Sequence, residues 1–367
     1  MLDCDAFAAL LCEWCLEVEE GQQVLVSSTT LAEPIVRGLH RALLERGAWP
    51  FVRLTPPELQ ADFYAYASED QVDGFAPLEL IEAEALDARI AIEAPGNTRA
   101  LAGVDPAYIS RALAARRPVQ EARMANRWCG TIWPTAALAQ DAAMSEEDYA
   151  AFIGRALFLD RPDPASAWAE LSARQSGLVE RLNAAREIRI EAEGTDLRLR
   201  VDGRHWINSD GRRNMPSGEV FTGPLEDSAS GTIRFTVPSR SRGVDVEMAE
   251  LTFEGGEVVA AHAERGDEYL QSALGTDPGA RWLGEIGIGT NVGIDRATGS
   301  TLLDEKIAGT VHLALGRSYP ETGGTNSSAL HWDLICDLRG GGQLSVDGDR
   351  LELGDFIAPD RDRSAVQ

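Results

Sequence analysis

The densest group of side chains able to do chemistry lies between residues 309 and 338, in GTVHLALGRSYPETGGTNSSALHWDLICDL. This stretch holds His312, Tyr319, His331 and Asp333, so two of the five histidines of the chain lie beside a carboxylate and a phenol. Imidazoles and carboxylates are the ligand mixture that suits borderline divalent ions such as zinc, cobalt or manganese. The sequence therefore predicts a metal site before it predicts anything else.

Two glutamates upstream have a setting that suits the same site. Glu219 in SGEVFTGP and Glu285 in LGEIGIGTN each stand alone among glycines and apolar residues. An isolated carboxylate in such surroundings is a candidate ligand, and we add both residues to the set.

The alternation of residue types predicts the strands that carry these side chains. In LHWDLICDL, apolar residues occupy every second position, so His331 and Asp333 project together from the other face. In TVHLALG, His312 falls on a face otherwise made of small residues, which leaves room for an ion and a substrate. A single histidine on a half-buried strand is more often a hydrogen-bonded structural residue. Two strands with matching geometry, followed by Tyr319, favour a functional site.

Strands and helices alternate through the first half of the chain. QVLVSST has the pattern of a buried strand, and PFVRLT, ARIAIEA and GTIWP have strand patterns. Helical patterns separate them, including one that begins at Pro106 and is kinked near Pro118. This alternation predicts a parallel, doubly wound sheet. No G-x-G-x-x-G follows the first strand, so the sequence does not support a dinucleotide cofactor.

The pattern changes at about Ile188 to short alternating strands separated by Glu-Gly, Asp-Gly and Gly-Gly turns. One helix, DEYLQSAL, interrupts them. We therefore expect an α/β domain with a parallel sheet over residues 1–187, and a β-rich α+β domain over residues 188–367. The second domain holds every candidate ligand.

The charge of the chain argues against several classes of partner. Its 367 residues include 34 Lys and Arg against 59 Asp and Glu, which gives a net charge of -25. Such a polyanion is repelled by phosphate backbones and anionic lipid, so nucleic acid and membrane surfaces are not expected partners. It attracts cations instead, including divalent metals and the amino termini of peptides.

The cysteines and the hydropathy predict a cytoplasmic protein. No apolar run reaches the roughly 20 residues that span a bilayer. The five cysteines are odd in number and scattered, as is typical of reduced thiols in the cytosol. Cys12 and Cys15 form a C-x-x-C, but they fall inside a predicted amphipathic helix from Phe7 to Val18. We expect them to be buried hydrophobic residues rather than a redox pair.

Several motifs together resemble the thermophilic metalloaminopeptidase family, of the aminopeptidase T and aminopeptidase S type. They are SGEVFTGP, LGEIGIGTN, DEKIAGTVHLALGRSYPETGG and SALHWDLICDLR, and the resemblance extends into the first half through GQQVLVSSTTLAEPIVRGLHRALLERGAWP. It implies a two-domain cytosolic exopeptidase, usually a homodimer, that holds two neighbouring divalent ions (zinc, cobalt or manganese) and acts on peptides with a free N-terminus.

The resemblance also implies a role for each candidate residue. Tyr319 corresponds to a catalytic phenol, and the loop between it and His331 is shorter than in some relatives, a departure that bears on substrate size. The implied metal ligands are Glu219, Glu285, His312, His331 and Asp333.

The chemistry of this residue set agrees with the resemblance. Two divalent ions with three carboxylates and two neutral imidazoles leave a net charge of about plus one, which favours deprotonation of a shared water near neutral pH, so that a hydroxide attacks the scissile carbonyl. Glu285, in its crowded glycine-flanked position, is our candidate for the bridging carboxylate and for the proton acceptor. The hydroxyl group of Tyr319 is suited to donate a hydrogen bond to the oxyanion.

Two other functions use the same residues. A metal-dependent amidase or other hydrolase, such as a phosphoesterase, would apply the ions to another bond. The scarcity of basic residues near the ligands, where Arg317 is close, speaks against a phosphate substrate. A binding protein stabilised by metal is a third reading. Structural zinc prefers four nitrogen or sulfur ligands, whereas these candidates are rich in oxygen and Cys336 falls on the opposite strand face.

Overall fold

The structure is a computed structural model that describes residues 2–241 and 243–353. Within these ranges no helix has both the length and the apolar character needed to cross a membrane. The α-helices, numbered in chain order, are α1 (Cys4–Leu10), α2 (Glu33–Glu45), α3 (Leu59–Tyr66), α4 (Glu69–Val72), α5 (Pro77–Ala85), α6 (Pro106–Ala115), α7 (Arg117–Ala125), α8 (Ala136–Asp141), α9 (Glu146–Ala156), α10 (Pro164–Asn183), α11 (Asp267–Leu274) and α12 (Thr301–Asp304).

The strands are numbered in the same way. They are β1 (Gln23–Thr29), β2 (Trp49–Thr55), β3 (Ala88–Glu93), β4 (Arg127–Ile132), β5 (Glu187–Ala192), β6 (Thr195–Arg200), β7 (Ile207–Ser209), β8 (Asn214–Met215), β9 (Glu219–Thr222), β10 (Ser230–Arg234), β11 (Ser239–Ser241), β12 (Val244–Val246), β13 (Glu250–Glu254), β14 (Glu257–His262), β15 (Leu283–Gly289), β16 (Thr310–Gly316), β17 (His331–Asp337), β18 (Gln343–Val346) and β19 (Asp349–Leu351).

The chain divides into two compact units. One comprises Met1–Trp168 with Gly211–Pro216, and the other comprises Ala169–Asp210 with Ser217–Gln367. The boundary expected at residue 187 stays a prediction.

The first unit contains a parallel sheet in the order β2-β1-β3-β4-β8. Its connections run through helices, as parallel pairing requires. Helix α2 shows why they pack: Ile35, Val36, Leu39 and Leu43 recur at helical spacing and are all buried. The prediction of an α/β unit with a parallel sheet is confirmed.

Two of the expected helices differ locally from the structure. The helix expected from Phe7 to Val18 is an α-helix that ends at Leu10 and continues as a π-helical turn, Leu11–Cys15. The helix expected to be kinked near Pro118 is two helices, α6 and α7, and Pro118 lies in the first turn of the second, where its missing N–H costs nothing.

The second unit is antiparallel and rich in strands, as predicted. One sheet has the order β14-β13-β10-β6-β5-β18-β19, and β11 and β12 form a separate hairpin. A further sheet, which we call the site sheet, has the order β17-β16-β15-β9-β7. Side chains from both large sheets, including Leu197, Phe253, Ile286 and Leu313, share one apolar core.

The register of the site sheet separates an apolar face from a polar one. Residues opposite each other in an antiparallel pair project to the same face, and successive residues project to opposite faces. On one face Ile286 lies opposite Leu313, which lies opposite Leu334, and all three are buried in the core. The other face carries the predicted ligands.

Candidate metal centre

All five predicted ligands lie on the polar face of the site sheet. Ala314 of β16 is paired with Glu285 of β15 on one side and with Asp333 of β17 on the other. His331 is paired with Gly316, and Glu219 of β9 is paired with Gly289 of β15. The sheet therefore brings together residues that are up to 114 positions apart in the sequence, from Glu219 to Asp333.

Glycine at position 287 makes room for a candidate ligand. Gly287 lies opposite His312, and a Cβ atom built on Gly287 would lie 2.1 Å from both Cε1 and Nε2 of His312. A side chain at position 287 would therefore displace the imidazole. This close approach explains why the LGEIGIG segment needs a glycine here.

The candidate ligands form two clusters. Within each cluster the ligand atoms all lie within 4.8 Å of one another. The inner group consists of Glu219, Glu305 and His312, and the outer group consists of Glu285, His331 and Asp333.

Glu285 faces both groups. Its Oε1 lies 3.4 Å from Nε2 of His312, and its Oε2 lies 3.6 Å from Nε2 of His331. Within the groups, Nε2 of His312 lies 3.6 Å from Oε2 of Glu219, and Nε2 of His331 lies 3.7 Å from Oδ2 of Asp333. The two oxygens of one carboxylate thus point at two separate imidazoles.

Both imidazoles are oriented through their other ring nitrogen. Nδ1 of His312 lies 3.1 Å from the carbonyl oxygen of Glu305, and Nδ1 of His331 lies 2.8 Å from that of Arg317. A carbonyl oxygen only accepts hydrogen bonds, so a neutral imidazole donates from Nδ1 and keeps its lone pair on Nε2. Such a contact on the far nitrogen is typical of histidines that bind metal.

Glu305 is a candidate ligand that the sequence analysis missed. It follows α12 directly, in the irregular segment before β16, so the strand alternation that identified the other ligands does not reach it. The carboxylate of Asp304 fixes this turn by accepting hydrogen bonds from the Thr298 N–H at 2.7 Å and the Gly299 N–H at 2.9 Å. The available signal was the position of Glu305 within the DEKIAGTVH motif, seven residues before His312.

Lys306 lies between two carboxylates of the inner group. Its side chain is fully buried, its Nζ lies 3.4 Å from Oε1 of Glu219, and it donates a hydrogen bond to Oε1 of Glu305. Burial alone would lower the pKa of Lys306, but Glu219 and Glu305 outweigh it and raise the pKa above its usual value, so this side chain is a cation.

The crowding of acids also shifts the pKa values of the ligands themselves. Burial raises the pKa of Glu219 to about 7 and that of Asp333 to about 6. For His312, burial favours the neutral ring, but Glu285 and Glu219 oppose it and raise the pKa to about 10. The shifts of Glu219 and Asp333 report their removal from water, and the shift of His312 reports the carboxylates around it. Buried carboxylates that water does not screen favour the binding of a cation.

Tyr319 lies at the outer group. Its hydroxyl oxygen is 3.5 Å from Nε2 of His331, and its ring makes edge contacts with His331 and Phe221. Burial, followed by the charge of Glu285, raises the pKa of Tyr319 above its usual value, so the phenol keeps its proton. A protonated phenol at this position can donate a hydrogen bond.

The loop that carries Tyr319 is held from both ends. The hydroxyl of Thr322 donates to the carbonyl oxygen of Tyr319 at 2.6 Å. Further along, Glu226 accepts hydrogen bonds from the N–H and the hydroxyl of Thr325 and forms an ion pair with the largely buried Arg204. These hydrogen bonds and this ion pair fix the loop that carries the phenol of Tyr319.

Cys12 and Cys15 lie outside this site and are buried, as predicted. Burial raises the pKa of the Cys12 thiol to about 12, which disfavours the reactive thiolate.

The donor set fits divalent cations. Four carboxylates and two imidazole nitrogens suit zinc, cobalt or manganese. In the inner group, Oε2 of Glu219 is buried and has no hydrogen-bond partner among the described residues. A buried carboxylate oxygen left without a donor is costly, and a bound cation would satisfy it.

Comparisons with known proteins agree with the motifs. Residues 3–349 match the model of the family described as "Thermophilic metalloprotease (M29)". The chain is 32% identical to "Aminopeptidase 2" of Geobacillus stearothermophilus, over 94% of this chain and 93% of that protein. It is 31% identical to "Aminopeptidase T" of Thermus aquaticus, over 91% of each. The structure of wild-type AmpT from Thermus thermophilus superposes with a TM-score of 0.82 at 28% identity, over 95% of this chain and 96% of that one.

The fold and the site thus define a metallopeptidase. The chain belongs to the thermophilic metalloprotease family M29, which confirms the resemblance carried by its motifs.

Proposed function

We propose that this metallopeptidase removes N-terminal residues from peptides, with one divalent ion in the inner group and one in the outer group. The observation that carries the proposal is the position of Glu285, whose two oxygens face the two imidazoles at 3.4 and 3.6 Å. A bridging carboxylate of this kind is what a closely spaced pair of ions requires. The names of the similar aminopeptidases support the reaction.

The proposed ligands are Glu219, Glu305 and His312 for one ion and His331 and Asp333 for the other, with Glu285 shared. Zinc, cobalt and manganese all suit this donor set. When bound, such ions polarise a carbonyl group and increase the acidity of water.

Two residues of the chain would handle protons and developing charge. Glu285 is the proposed proton acceptor, because its carboxylate lies between the two groups. Tyr319 is the proposed hydrogen-bond donor to the oxyanion, since its phenol keeps its proton beside the outer group. The excess of carboxylates would also attract the positively charged amino group of a peptide, which favours an exopeptidase.

We also propose a cytoplasmic homodimer, as the resemblance implies. The five free cysteines agree with a reducing compartment. Light scattering of the purified protein measures the assembly, and a monomeric mass at micromolar concentration would exclude the dimer.

The test of the proposed function is hydrolysis of aminoacyl anilides and short peptides after chelation and after addition of zinc, cobalt or manganese. The same substrates with an acetylated amino group are the matched control. We expect activity that depends on metal and on the free amine. Rapid cleavage of the acetylated substrates would instead indicate an amidase or an endopeptidase.

A further inference from the structure

Lys306 is the one lysine in the chain, among 34 lysine and arginine residues. Everywhere else this sequence uses arginine for positive charge. Arginine presents a wide planar fork, whereas lysine presents a compact point charge at the end of a flexible stem. The one position that keeps lysine is fully buried and lies in the inner group.

The contacts of Lys306 divide the oxygens of Glu219 into two kinds. Its Nζ lies 3.4 Å from Oε1 of Glu219, whereas Oε2 is the atom without a hydrogen-bond partner among the described residues and lies 3.6 Å from Nε2 of His312. Lys306 also contacts Oε1 of Glu305. The ammonium group thus occupies one oxygen of each glutamate.

The charge of Lys306 also balances the additional carboxylate. Counting the three acids predicted from sequence, two divalent ions leave a net charge of about plus one. Glu305 adds one negative charge and Lys306 adds one positive charge. Without ions, the four carboxylates outnumber the one ammonium group, so the lysine is most needed when no metal is bound.

We infer that Lys306 is a positioning residue that preorganises the inner group: it holds one oxygen of Glu219 and one of Glu305, so that each presents its other oxygen to a cation, and it limits carboxylate repulsion before metal binds. The inference rests on the proposed metal site. It assigns Lys306 no contact with substrate.

The test compares melting temperatures of Lys306→Met with and without cobalt, after chelator dialysis. Methionine keeps the length of the stem and removes the charge. Because breaking a buried ion pair leaves uncompensated charge, we expect the metal-free variant to melt on the order of 10 °C below the metal-free parent protein. With cobalt bound, the ions neutralise the carboxylates and the difference should fall to less than about half. An equal loss in both states would indicate packing alone and overturn the inference.

The double variant Lys306→Met/Glu305→Gln is the matched control for charge. Removing one carboxylate together with the ammonium should restore at least half of the metal-free stability lost by Lys306→Met. If Lys306→Met does not fold, the double variant still decides. Folding of the double variant supports charge balance, whereas failure of both variants to fold would overturn it, because the ammonium group would then be needed even with one carboxylate removed.

A single lysine also gives a spectroscopic readout. With lysine labelled by ¹³C and ¹⁵N, the parent protein shows the signals of one lysine, including one Nζ signal. Zinc addition should shift the Nζ signal until the inner group is saturated. If the protein binds zinc but the lysine signal does not shift, the inference about Lys306 is overturned while the proposed metal site stands. If the parent protein binds neither zinc nor cobalt, the proposed function fails with it.

Discussion

The inner and outer groups use the same ligand types but differ in access to solvent. The side chain of His312 is fully buried, whereas that of His331 is 18% exposed. The inner group has a buried ammonium group beside it, and the outer group has the phenol of Tyr319. From this difference we propose a division of labour, in which the inner group would anchor a cation inside the protein and the outer group would meet the substrate.

Loss of the shared residue should produce the largest effect. Glu285→Gln keeps the size of the side chain but removes the charge that faces both groups. We expect turnover to fall by about 10⁴-fold, with less metal retained in both groups. Steady-state kinetics and metal analysis measure the two effects, and a variant that retains both ions and near-normal turnover would remove Glu285 from the mechanism.

Loss of one ligand from each group tests the comparison itself. We expect Glu219→Gln and His331→Ala each to reduce turnover by about 10³-fold, because each substitution weakens the binding of one cation. Metal content should fall by one ion per chain in each variant while far-ultraviolet circular dichroism stays unchanged. If either variant lost both ions, the groups would not be independent sites.

Tyr319→Phe should affect the outer group without loss of metal. The ring keeps its contacts with Phe221 and His331, and only the hydroxyl group is lost. Removal of one oxyanion donor typically costs about a hundredfold in turnover, with little change in KM. Reduced metal content would instead identify the phenol as a ligand, and unchanged turnover would leave it a packing residue.

Gly287→Ala should perturb the inner group through His312, and we expect it to have the smallest effect of these variants, on stability. The added methyl group must displace the imidazole of His312, which lies 2.1 Å from the built Cβ position. Overpacking of this kind costs about 1–3 kcal/mol in the free energy of unfolding. Urea denaturation measures this loss in the free energy of unfolding. Gly289→Ala is a poor control, because its Cβ would meet the backbone of Ile307. Gly340→Ala, with open space around its Cβ position, is the matched control and should cost much less.

Strand periodicity made most of the site predictable. His331 and Asp333 are two residues apart on one strand, so the period of two places them on one face without knowledge of the fold. The same rule predicts that Leu334 and Cys336 lie on the opposite face of this strand, away from the ligands. Both residues are buried in the apolar core. The parallel sheet was predictable from a second pattern, because short strand segments alternate with helical segments through the first half of the chain.

Other features follow from tertiary contacts that local patterns do not encode. Glu305 and Lys306 lie outside a strand, and a run of Asp, Glu and Lys reads like a solvated surface turn. Helices α3 and α5 were not predicted, because α3 has no buried residue and α5 buries Ala83 alone, so neither has a marked apolar face. Such elements are identified only once their neighbours are known.

The most direct test of the two-ion site is the number of ions per chain in the parent protein, in Glu219→Gln and in His331→Ala. Mass spectrometry measures it, alongside hydrolysis of aminoacyl anilides. We expect two ions in the active parent protein and one in each nearly inactive variant. Full activity of the parent protein with a single ion, or activity that persists after both ions are removed, would contradict it.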